Sequence, residues 1–159
     1  MKKIINPYIG SEEEYGYNCF ACAPKNPFGL KMEFYEDGEE VVSFWKAGTN
    51  YQGWVDTLHG GIQATLIDET SSWLVSRKMQ VSGMTTNLNV KYRRPIPTGT
   101  EEPVEIRTHI KETKRNFVLI EATLLYKGEV CTTAESTFYC FSKEKSEEEF
   151  HFRHVDIEE

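Results

Sequence analysis

The chain has 159 residues, enough for one domain with a single core, and its 39% hydrophobic and 13% aromatic content argues against a disordered polymer. A formal net charge of −7 and a pI of about 5.2 have the wrong sign for non-specific binding to nucleic acid or an anionic membrane, so any anionic ligand must use a local basic patch. No apolar run is long enough for a signal peptide or a bilayer span, so a cytoplasmic location with no nucleic-acid or membrane partner is expected.

In chain order, Ser11-Glu-Glu-Glu14 offers a capping box for a short helix. Asn26-Pro27-Phe28-Gly29 then marks a turn, and Leu30–Tyr35 and Val41–Trp45 read as strands joined across Glu36-Asp37-Gly38-Glu39. Gly61 to Lys78 has no proline or internal glycine and is too long for most strands, which predicts a helix. Its apolar residues, among them Ile62, Leu66, Ile67, Trp73, Leu74 and Val75, cover well over half the cylinder, so this helix must be largely enclosed. Thr65, Asp68 and Ser72 fall on one narrow polar stripe, with Glu69 at its edge.

After the helix the period changes to two. Thr86, Leu88, Val90 and Tyr92 alternate with polar residues, Glu105–Thr113 follows, and Val118–Tyr126 and Val130–Phe141 flank a Lys127-Gly128 turn. The expected architecture is α+β: one long central helix wrapped by a curved antiparallel sheet of five to six strands, with open edges that favour a dimer. Residues 1–145 make a single domain, and 146–159 are expected to be a charged, solvated tail.

The four cysteines are too few and too unevenly placed for a disulfide framework. Cys131 and Cys140 lie in a strand, where buried thiols are ordinary packing. Cys19 and Cys22 form half of a zinc ligand set whose other half could come only from His151 and His154, so no metal is expected.

Leu58-His59-Gly60-Gly61 opens the helix. Two glycines there admit a substrate close to the backbone, and the free N–H groups, aided by the helix dipole, suit a developing oxyanion. Asp68 lies well inside an apolar helix, where a carboxylate must be hydrogen-bonded or put to use. Periodicity alone leaves both readings open: a structural Asp68 bonded to Thr65 or Ser72, or a chemical one.

This pattern resembles the hotdog-fold thioesterases of the PaaI and 4-hydroxybenzoyl-CoA types. The resemblance runs from Cys19 to Tyr139 and rests on N-C-F-A-C-A-P-K-N-P-F-G-L at Asn18–Leu30, Tyr51-Gln52-Gly53, H-G-G with Asp68 eight residues beyond Gly60, and T-N-L-N-V-K-Y-R-R-P at Thr86–Pro95. It implies a homodimer that can pair into a tetramer, an acyl-CoA substrate, and no cofactor beyond the CoA of the substrate. Asp68 then matches the catalytic acid residue, general base or nucleophile, and Gly60 the N–H that polarises the thioester carbonyl. His59 matches the motif histidine that holds the loop, and Thr85 a water-positioning hydroxyl.

The amide that relatives place seven residues before the oxyanion glycine falls on Gly53. Gln52 takes its place if the loop is one residue longer, with Asn50 as second candidate. Gly61, Glu69, Asn50, Arg93 and Arg94 are the remaining candidates for substrate contact. Lys91, Lys111, Lys114 and Arg115 are further basic groups for CoA phosphates, although each also reads as solvated surface. Glu69 rivals Asp68 but points about 100° away on the helix wheel. Gly60 and Asp68 are separated by about 12 Å along one helix, too far to share a carbonyl carbon, so a site using both needs two chains. The alternative function is a non-catalytic acyl-CoA-binding or sensing module on the same fold. A hotdog-type dehydratase ranks below both, because the chain lacks that family's His-containing loop followed by a helix glutamate.

Overall fold

The computed structural model describes residues 1–159. In chain order the elements are β1 (Lys2–Lys3), α1 (Glu12–Tyr15), β2 (Phe34–Asp37), β3 (Glu40–Trp45), a 3-10 turn (Thr49–Tyr51), α2 (Gly60–Met79), β4 (Gly83–Tyr92), β5 (Val104–Lys114), β6 (Phe117–Tyr126), β7 (Glu129–Cys140) and α3 (Lys143–Phe150). All strands pair antiparallel in one sheet of order β1-β2-β3-β5-β6-β7-β4, which puts β4 at an edge. This is the expected hotdog arrangement of α+β class, with seven strands instead of five to six.

The sheet encloses α2 because so much of that helix is apolar. Leu66, Ile67, Leu74 and Val75 are fully buried against Val41, Ile106, Ile120, Leu124 and Phe138 of the strands. Burying each such side chain contributes roughly 1.5–3 kcal/mol, so the helix is held by packing more than by its own propensity. The β6–β7 hairpin turns on Lys127 and Gly128, both with positive φ (50° and 78°), the geometry that follows the twist of its strands.

Three local expectations are corrected. The first long strand starts at Phe34, not Leu30, because Lys31 adopts φ 54° and the Leu30 and Met32 N–H groups bond to Phe20 and Ala21 instead of a ladder. Ser11 caps no helix with its side chain; its hydroxyl donates to the Tyr8 carbonyl. The C-terminal segment is not a solvated tail. Ser142 caps α3 by accepting the Lys145 N–H, Ser146 is buried, and Phe152 and Val155 enter the core before Ile157 pairs with Ile4.

Candidate active site

The helix opens where extended backbone at His59 (φ −60°, ψ 134°) gives way to Gly60. His59 Nδ1 accepts the Gly61 N–H at 2.9 Å, so in the neutral ring the proton sits on Nε2. The Gly60 N–H has no acceptor within the chain, and it lies at the positive end of a helix of 20 residues. The Gly60 carbonyl accepts the Tyr92 hydroxyl at 2.7 Å, which fastens the first turn to the end of β4. Sequence reasoning placed Tyr92 only in the strand alternation; the motif that contains it was the available signal.

Three further bonds hold the approach to the helix. The Gln63 amide donates to the Leu58 carbonyl (3.3 Å) and accepts the Thr132 hydroxyl (2.5 Å), while the His59 N–H donates to Tyr51 (3.0 Å). Gly53 lies against His59: a Cβ there would sit 3.4 Å from the His59 Cα, in ordinary contact.

Asp68 lies on the flank of α2 that faces β4, half-buried, and Thr85 Oγ1 donates to its Oδ1 at 2.7 Å. Its partner is therefore neither Thr65, whose hydroxyl donates back to Gly61, nor Ser72. A β-bulge makes this contact possible. The β4–β7 register shifts between Thr85 and Asn87, so Thr85 stands opposite buried Phe138 while Leu88 stands opposite buried Ser136. The extra residue reverses the alternation, turning Thr85 toward the helix where an unbroken strand would have turned Thr86. The Asp68 Oδ2 has no partner in the chain.

The other candidates divide. Gln52 Oε1 accepts the Asp56 N–H at 3.1 Å and so shapes the loop before His59, in which Asp56 adopts φ 58°. Asn50 is exposed in the 3-10 turn. Arg93 and Arg94 are exposed at the end of β4, donating to Thr133 (3.3 Å) and Glu129 (2.8 Å). Lys91 and Arg93 border a polar depression of about 340 Å³ on the sheet, together with His109, Glu121 and Glu135.

Glu69 turns away from Asp68, accepting the Trp73 indole N–H at 3.1 Å and the Cys19 thiol at 3.6 Å. Cys19 also accepts the Cys22 N–H at 3.3 Å. Hydrogen bonding from the Cys22 side chain outweighs burial and holds the Cys19 thiol below its ordinary range, while the same contact and burial push Cys22 far up. His151 and His154 do not join the cysteines: one stacks on Tyr15 at 3.9 Å and the other faces Asp156 at 3.1 Å.

The chain is similar to known proteins of one family. The thioesterase superfamily profile matches residues 56–141, which includes the His59 loop, Asp68 and Thr85. The chain is 31% identical over 122 residues to the acyl-coenzyme A thioesterase THEM4 of Mus musculus, covering 74% of this chain and 52% of that protein. It spans about half the length of the THEM4 relatives it matches. Thioesterase superfamily member 2 from Mus musculus superposes with a TM-score of 0.58 at 24% identity, covering 68% of this chain and 85% of that one. A hypothetical thioesterase from Streptococcus pneumoniae, solved with coenzyme A, gives 0.64 at 18% identity over 70% and 89% of the two chains. With its profile match covering more than half of the sequence and its helix wrapped by the same kind of sheet, this chain belongs to the thioesterase superfamily.

Proposed function

We propose that the chain hydrolyses an acyl-CoA thioester to a carboxylic acid and free CoA, at a site shared by two copies of the chain. The observation that carries this reading is the Thr85–Asp68 bond. It fixes one carboxylate oxygen and leaves the other with no protein partner. In the general-base reading, Asp68 takes a proton from water as the water oxygen attacks the thioester carbonyl. The tetrahedral oxyanion accepts the Gly60 N–H of the partner subunit, the C–S bond breaks, and the CoA thiolate leaves and is protonated from solvent. In the nucleophile reading, Asp68 attacks directly and water then cleaves the anhydride. Water supplies the oxygen, so no cofactor takes part.

Two facts support a shared site. Gly60 and Asp68 belong to one unbroken helix, about 12 Å apart along its axis. The outer edge of β4, ten residues long, is unpaired and can continue across a two-fold axis into a second copy. Arg93 and Arg94 lie at the end of that strand, where they can meet CoA phosphates. Acyl-CoA specificity in the relatives' names agrees with this substrate class.

The test is complementation. Asp68→Asn should fold normally and lose at least about 100-fold in kcat, and Gly60→Leu should block approach of the carbonyl. Mixed under subunit exchange, the two inactive proteins should regain activity, up to about half the wild-type rate per heterodimer, because one site combines both intact residues. No recovery in heterodimers verified by native mass spectrometry, or near wild-type turnover in Asp68→Asn, would refute the proposal.

A further inference from the structure

The loop Cys19-Phe20-Ala21-Cys22 lies against the flank of α2 that carries Glu69, turned away from Thr85 and Asp68. Cys19 Sγ, Cys22 Sγ and a Glu69 carboxylate oxygen all lie within 4.8 Å of one another. Glu69 takes part in none of the chain's ion pairs, and its side-chain partners are an indole N–H and a thiol. A half-buried carboxylate with no cation beside it is a costly arrangement unless a positive charge is supplied from outside. Cys22 is only 6% exposed, and its backbone N–H points at the Cys19 sulfur, the geometry that favours a thiolate. The cluster opens onto a cavity of about 240 Å³ bordered by Tyr8, Tyr17, Ser72 and Ser76, with room for a water ligand.

We infer that Cys19, Cys22 and Glu69 form a binding site for a thiophilic divalent cation of the zinc class, with water as the fourth ligand. Two sulfurs and one oxygen in a tetrahedral shell at Zn–S of about 2.3 Å place the sulfurs about 3.8 Å apart. All three donor atoms already lie within 4.8 Å of one another, so side-chain rotation can supply the adjustment. Thiolates select zinc, cobalt or cadmium over magnesium or calcium. Binding converts two thiols and a carboxylate to three anionic ligands and releases two protons to solvent, so affinity rises with pH. The ion would staple the N-terminal loop to the helix beside Asp68 without contacting the substrate carbonyl. The site is independent of the proposed hydrolysis, because neither cysteine has a part in it.

The experiment uses full-length protein, reduced and stripped with chelator, then titrated with Co(II). One equivalent should bind with a thiolate-to-cobalt charge-transfer band and the strong visible bands of a tetrahedral ion, and one equivalent of Zn(II) should bleach both. Cys19→Ser and Cys22→Ser should lose the charge-transfer intensity and at least about tenfold in affinity, Glu69→Gln should weaken binding similarly, and Cys140→Ser should behave as wild type. Circular dichroism checks that each variant is folded; should Cys22→Ser not fold, the half-exposed Cys19→Ser decides. Added Zn(II) should also raise the wild-type Tm and leave that of Cys19→Ser unchanged. The inference is overturned if the reduced protein takes up no Co(II), if the spectrum survives loss of Cys19, or if mass analysis finds a Cys19–Cys22 disulfide and the reduced form binds no metal.

Discussion

The two ends of α2 are built in opposite ways. At its C-terminal end Gln80 adopts a left-handed conformation (φ 56°) and exchanges hydrogen bonds with Val155, donating at 2.9 Å and accepting at 3.0 Å, while Arg77 reaches the same Val155 carbonyl. Lys78 and Arg77 both pair with Glu36. At the N-terminal end His59, Tyr92 and Gln63 hold the first turn, and the loop before it leaves Trp54 86% exposed. Polar groups at one end are satisfied by protein. At the other the Gly60 N–H has no acceptor within the chain, so stability and activity should respond to different substitutions.

The largest expected effect is at the fastened end. Phe152→Ala should cost about 3–5 kcal/mol of unfolding free energy, read from denaturant midpoints, while kcat of the folded protein stays within about twofold. A matching loss of kcat would break the division. At the open end His59→Ala should do the reverse: kcat should fall about tenfold as the Gly60 N–H loses its fixed aim, for about 1 kcal/mol of stability from the lost cap. Steady-state kinetics and thermal melts on the same samples separate the two.

The smallest effect belongs to Glu36→Gln, up to about 1 kcal/mol, since its ion pairs are only partly shielded from water. Burial pushes the Glu36 carboxyl up, but Lys78 and Arg77 outweigh it and hold it below its ordinary value. A carboxyl lowered on folding stabilises the protein above its unfolded value and loses that contribution as the pH falls through the folded one. The wild type and Glu36→Gln should therefore differ in stability at neutral pH and converge in acid. An unchanged difference at low pH would assign the effect to packing.

Most of this fold was legible because burial imposes periods. The apolar cylinder of α2 and the alternation in β5 to β7 appear in the sequence within a residue or two of where they form. Legibility failed where local geometry overrides period. Nothing in Thr85-Thr86-Asn87 announces a bulge, so the alternation alone turned the wrong threonine inward; only the family resemblance named Thr85. The C-terminal segment failed for a different reason: its charges are solvated as expected, but Ser146, Phe152 and Val155 anchor it, too sparsely spaced to make a pattern. In the cysteine cluster the third donor comes from fifty residues further along, a proximity created by the tertiary fold alone.

The placement of the three tryptophans has a spectroscopic consequence. Trp45 and Trp73 are each only 6% exposed, and their indole N–H groups are bonded to the Leu30 carbonyl and to Glu69. Trp54 stands in water beside Gly53, His59 and Gly60. Acrylamide should therefore quench one emitter of the three, at the red edge of the spectrum, and leave the other two bright. A molecule settling over the open end of the helix would shield and blue-shift that accessible fraction. A charge arriving at Glu69 would instead perturb the protected fraction through Trp73, so one cuvette can distinguish events on two sides of the same helix.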